Sequence, residues 1–131
     1  MQRVTGIGGV FIKALNPKTL GAWYEAHLGV KREAWGGSQF LWRQHDAPER
    51  TGATVWNLFK QDSTYFDPST KPFMVNYIVA DLSAMLAQLR AEGVTVDDKV
   101  DESEFGKFGW AIDPEGNRFE LWEPPKERKQ E

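Results

Sequence analysis

Cysteine is absent from the 131 residues, which removes disulfides, thiolate metal sites and cysteine nucleophiles at once and suits a reducing cytoplasm. Histidine is nearly absent, with only His27 and His45. His27 falls in a helical segment, where a surface histidine is the ordinary reading. His45 lies among Arg43, Gln44, Asp46 and Glu49, and neither histidine stands at a His-x-Glu or His-Glu-x-x-His spacing. No apolar run is long enough to span a bilayer. Met1-Gln2-Arg3-Val4-Thr5 enters a strand-like run with no signal-peptide pattern, so a cytoplasmic protein free of the membrane is expected. A strong charge of one sign is also missing. The net charge is −3, built from both signs spread along the chain, which speaks against a nucleic-acid partner.

What is present is an apolar fraction of 40% and an aromatic fraction of 13%, with six tryptophans. That is enough to build one compact core. The chain also repeats itself at about half its length. Gly9 to Leu20 and Met74 to Met85 carry the same alternating pattern, and a helix follows each. The first helix is predicted over Pro17–Leu28, with Asn16 as N-cap, Leu20, Trp23, Tyr24 and Leu28 as its apolar face, and Gly29 as its stop. The second is predicted from the cap Asp81, with Leu82, Met85, Leu86 and Leu89 as its stripe and Gly93 as its end. Three strand-like runs follow each helix: Val30–Trp35, Phe40–His45 and Thr54–Phe59, then Val94–Asp97, Gly106–Ile112 and Arg118–Glu123. The expected plan is α+β, a single domain over 1–125 built from two tandem βαβββ modules. Module one is 1–60, a linker covers 61–72, module two is 73–125, and 126–131 is a charged tail.

The richest segment runs from Asp113 to Pro125. Asp113-Pro114-Glu115-Gly116-Asn117 has the residues of a tight turn: Pro114 presets φ, Gly116 accepts positive φ, and Asp113 and Asn117 bond local backbone. The strand Arg118–Glu123 then alternates, with Phe119 and Leu121 on one face and Arg118, Glu120 and Trp122 on the other. A carboxylate among large apolar groups is costly to bury without a partner. Glu120 is therefore a ligand, an acid/base group, or the partner of a cation such as Lys13 or Arg118.

This hairpin resembles the C-terminal hairpin of the vicinal oxygen chelate superfamily, the glyoxalase/bleomycin-resistance/dioxygenase group, in which Asp-Pro-x-Gly-Asn precedes a strand ending in Glu-Leu. The resemblance extends over nearly the whole chain. It implies paired modules whose curved mixed sheets surround a cleft, with helices outside, and commonly a homodimer. In metal-using members the glutamate of that strand is a metal ligand, and Glu120 holds its position. The resemblance draws the other ligands from the first strand of each module, here Gly9 and Met74, and from the last strand of module one, at Trp56 or Asn57. Gly9 and Met74 do not ligate a hard divalent metal, so no metal and no cofactor is expected.

If Glu120 faces the cleft, the alternation brings Arg118 and Trp122 with it, and places Phe11, Lys13, Met74 and Asn76 inward from the two first strands. Trp42, Trp56, Asn57 and Trp110 complete the expected lining, a mixture of aromatic, amide and charged groups suited to a small molecule. The same aromatics would also serve as plain core. Three functions follow. The first is metal-free binding of a small aromatic or cationic molecule, as in the bleomycin-resistance type. The second is a metal-independent isomerase or lyase with Glu120 as general base and Lys13 or Arg118 polarising an oxygen. The third is a metal-dependent glyoxalase or dioxygenase relative, which Gly9 and Met74 oppose.

Overall fold

The computed structural model describes residues 1–45 and 47–126; Asp46 and most of the expected charged tail lie outside the described residues. The element order is β1 (Val4–Ala14), α1 (Pro17–Leu28), β2 (Ser38–Arg43), β3 (Thr51–Lys60), β4 (Phe73–Val79), α2 (Leu82–Ala91), β5 (Thr95–Val96), β6 (Asp101–Ser103), β7 (Gly106–Ile112) and β8 (Arg118–Glu123). The strands form one mixed sheet in the order β2-β3-β1-β4-β8-β7-β5, with β6 paired to β7. The two modules join through β1 and β4, which run antiparallel.

The helix ends follow from their cap residues. Asn16 accepts from the Thr19 amide at 3.1 Å, Pro17 needs no donor at the first turn, and Gly29 closes α1 in the left-handed region at φ 66°. Asp81 caps α2 by accepting from the Ala84 amide at 3.0 Å. The side chain of Glu123, at the end of β8, accepts from the Leu82 amide at 2.8 Å and ties α2 to the last strand.

Between α2 and the sheet, Leu82, Met85 and Leu86 pack on Val79 and Leu121, with Phe119 and Leu89 alongside. Phe119 and Leu121 thus lie under a helix, and Glu120 is left to the other face. Helix α1 departs from the expected stripe, because Trp23 is 50% and Leu28 64% exposed. It meets the sheet through Tyr24, whose ring lies 4.8 Å from that of Trp56, while Gly21 is covered by the stem of Arg32.

The expected strand at Val30–Trp35 does not form. The Glu33 amide donates to the Gly37 carbonyl and the Gly36 amide to Glu33, so the turn takes up these backbone groups, with Gly36 at φ 100°. Module one is β-α-β-β. Module two instead has the additional short strand β6, and its β5 has only two residues.

Candidate functional site

Cross-strand register aligns Val55, Gly9, Asn76 and Glu120 in one row over β3, β1, β4 and β8. The next row is Asn57, Phe11 and Met74, with Arg118 two residues before Glu120 on β8. Paired residues share a face of a sheet, so these side chains stand on the cleft side. Phe11, Met74 and Trp110 are buried there against Phe66, with Val55, Phe59 and Phe108 packed around them.

Glu120 is 2% exposed and holds three neutral donors. The Trp110 indole donates to Oε2 at 2.9 Å, the Asn76 amide nitrogen to Oε1 at 2.5 Å, and the Tyr65 hydroxyl also donates to Oε2. Burial raises the Glu120 pKa above the usual carboxylate range, and the hydrogen bonds from Tyr65, Asn76 and Trp110 offset only part of that rise. The Tyr65 hydroxyl is itself held far above its ordinary pKa by burial and by the charge of Glu120, so it remains a donor. Asn76 must turn its nitrogen to the carboxylate, which leaves its Oδ1 buried with no hydrogen-bond partner.

The ion-pair alternative for Glu120 is not what the site displays. Arg118 donates to Asp97 at 3.1 Å and lays its guanidinium 5.1 Å from the Trp110 ring centroid. Lys13 stands 5.4 Å over the Phe66 ring. Arg118 lends Glu120 favourable charge from nearby without bonding to it. Trp122 stacks on Phe108 at 6.1 Å and donates to the Phe105 carbonyl at 2.8 Å.

The register assigns the remaining residues. Asn57 shares the face of Phe11, and its Oδ1 accepts from the Leu58 amide at 3.0 Å. Trp56 points to the opposite face, against Tyr24 of α1, which settles the choice between Trp56 and Asn57 for the cleft. Trp42 pairs across from Gly52 on the face of Trp56 and donates to Thr54 Oγ1 at 2.9 Å. Neither tryptophan belongs to the group around Glu120. Met74, taken as the first-strand position matching Glu120, sits one row away, and Asn76 is the residue in line.

Two residues of the site lie where the sequence reads as linker. Tyr65 and Phe66 belong to the 61–72 segment, yet Phe66 is 0% exposed in the cleft core. Tyr65 stacks on Phe59 at 5.4 Å and 14° and meets the Trp110 ring edge-on at 6.3 Å. Two adjacent aromatics inside an otherwise polar loop were the available signal. A cavity of about 560 Å³ opens against Tyr65, Phe108 and Trp110, with Val100, Asp101, Glu102 and Ser103 forming its other wall.

The donor set of the Glu120 row does not fit a divalent metal. Val55 and Gly9 offer no side-chain ligand, Asn76 presents its nitrogen to the glutamate, and both Glu120 oxygens already accept hydrogen bonds. Among the described residues no group of three or more His, Cys, Asp or Glu converges as a metal site. Among the same residues no helix is long and apolar enough to cross a membrane.

The sequence profile of the glyoxalase-like domain family matches residues 9–122. No curated protein matches the sequence. Among solved structures, a Streptomyces coelicolor methylmalonyl-CoA epimerase variant in complex with 2-nitronate-propionyl-CoA superposes with a TM-score of 0.66 at 19% identity, covering 98% of this chain and 100% of that one. Methylmalonyl-CoA epimerase from Mycobacterium tuberculosis gives 0.56 at 22% identity, over 93% and 89% of the two chains. A Legionella pneumophila protein described as NAD-dependent benzaldehyde dehydrogenase gives 0.56 at 12% identity, over 89% and 98%. At these identities the likeness is one of fold. With a family profile spanning both modules and the Asp113–Glu123 hairpin, the chain belongs to the glyoxalase-like domain family of the vicinal oxygen chelate superfamily.

Proposed function

We propose that the protein binds a small aromatic or cationic molecule in the cleft without metal, in the manner of the bleomycin-resistance type. The observation that carries this reading is the cavity walled by Tyr65, Phe108 and Trp110 and, across from them, by the strand that carries Asp101, whose side chain shares the face of Phe108. Aromatic walls and a volume of about 560 Å³ suit a small flat ligand, and a cationic one would take over the Trp110 ring and Asp101 from Lys99, which lies 5.8 Å from the ring centroid and 3.8 Å from the carboxylate. Glu120 serves as polar anchor, accepting from Trp110 and Tyr65. N-Methylacridinium should quench tryptophan emission saturably, and Asp101→Asn should weaken its binding several-fold. Quenching that never saturates removes the reading.

The second reading is a metal-independent isomerase or lyase with Glu120 as general base. The raised pKa of Glu120 favours it, as does the epimerase description of several fold relatives. The Tyr65 hydroxyl on Glu120 opposes it, since the base must first shed that donor. Turnover of an α-carbonyl substrate that survives Glu120→Gln rules this reading out.

We place the protein in the cytoplasm as a homodimer. The edge strand β2 leaves Phe40 51% and Leu41 63% exposed, which a second copy would cover. Sedimentation at micromolar concentration checks this, and a monomer refutes it.

A further inference from the structure

We infer that Tyr65 is a built-in occupant of the position that a ligand's hydrogen-bond donor takes, so that the preferred ligand is a flat aromatic carrying a phenolic hydroxyl as donor for Glu120. The inference rests on the cavity being a binding site, as proposed above. The Tyr65 phenol is bound as a ligand would be: its face lies on Phe59, its edge on Trp110, and its hydroxyl donates to a buried carboxylate. Two of the three donors to Glu120, Asn76 and Trp110, sit on strands and are 2% exposed, so they are fixed. The third comes from a loop and is 38% exposed. It also forms part of the cavity wall, so Tyr65 separates the cavity from the carboxylate.

The neighbouring residue lets the ring move without unfolding the loop. Phe66 is 0% exposed and pins the backbone in the cleft core, and the Tyr65 amide is held by Ser63 Oγ at 3.2 Å. Rotation of the Tyr65 side chain alone uncovers Glu120. In its ionised form the oxygen it leaves accepts only, which selects phenols and rejects carboxylates and phosphates. Once Tyr65 leaves, Glu120 Oε2 keeps only the Trp110 indole, so a ligand without a donor leaves a buried carboxylate oxygen one donor short and a ligand with one restores the pair.

Tyramine and phenethylamine share the ring and the ammonium and differ by the phenolic hydroxyl. In Tyr65→Ala, tyramine should bind about tenfold or more tightly than phenethylamine, the discrimination expected of a buried acceptor. A ratio near one in the folded variant overturns the inference. The wild-type protein gives a measurement that does not depend on that variant folding. With 3-fluorotyrosine in place of tyrosine, the fluorine resonance of Tyr65, assigned by its loss in Tyr65→Phe, should move on addition of tyramine. An unmoved resonance, whether or not tyramine binds elsewhere, overturns it too. N-Methylacridinium separates the two ideas: if the wild type binds it while both tyramine tests fail, the cavity stands and the gate falls. If the wild type does not bind it while Tyr65→Ala discriminates, the cavity and its gate stand and the preference for a cation falls.

Discussion

Gly8 makes room for Asn76. A Cβ built on Gly8 would fall inside contact distance of Asn76 Oδ1 and 2.9 Å from the Trp122 ring. The absence of a side chain on β1 is what allows the Asn76 amide to stand against the sheet and aim its nitrogen at Glu120. The glycine pair Gly8-Gly9 is thus a packing device, placed where β1 shifts register against β4 between Ile7 and Gly9.

Gly8→Ala should therefore destabilise the fold by about 1–3 kcal/mol, the usual range for overpacking a filled core. Urea unfolding followed by far-UV circular dichroism measures it. An unchanged midpoint would mean that Asn76 moves aside freely.

Trp110→Phe keeps an aromatic ring in the cleft core but takes the indole donor from Glu120. Leaving a buried carboxylate oxygen with one donor fewer should lower stability by about 1–3 kcal/mol. The same variant should weaken N-methylacridinium binding, because the ring that walls the cavity loses its tether. Calorimetric unfolding and a binding titration on one preparation test both halves.

The pH dependence of stability should show Glu120 with a definite sign. Its folded-state pKa lies above the unfolded value, so between the two the native protein holds the proton more tightly. Its contribution is fully present below the ordinary glutamate pKa of about 4.3 and is lost as pH rises through the raised value. Asp97 has the opposite sign: the Lys99 amide, followed by Arg118, lowers its pKa, and that contribution is lost as pH falls. Comparing the wild type with Glu120→Gln cancels Asp97 and isolates Glu120. The difference in thermal midpoint, wild type minus variant, should be most positive in acid and shrink as pH rises. A difference independent of pH contradicts the burial argument.

Much of this arrangement is written in short-range pattern. The Asp113–Asn117 turn, the alternation of Arg118–Glu123 and the caps Asn16 and Asp81 act within a few residues, and the strands and helices they imply are present. The long-range terms were not readable in the same way. A one-residue slip moves a side chain to the other face, and only the partner strand decides between Trp56 and Asn57 or aligns Asn76 with Glu120. Val30–Trp35 follows the helix stop at Gly29, where a strand is due, but the Gly36-Gly37 pair folds it into a turn that spends its backbone bonds locally. Tyr65 lies 55 positions from Glu120, in a loop whose composition signals only a boundary, so its bond to the carboxylate is a tertiary fact.

The central proposal is that the cleft binds a small aromatic or cationic molecule with no metal taking part. Titration calorimetry of metal-stripped protein with N-methylacridinium, repeated after addition of Mn²⁺, Co²⁺ or Zn²⁺, addresses it directly. The account predicts one-to-one binding in the stripped protein, with an affinity that the metals leave unchanged. Binding that appears only after metal is restored, and is lost again in Glu120→Gln, would contradict it.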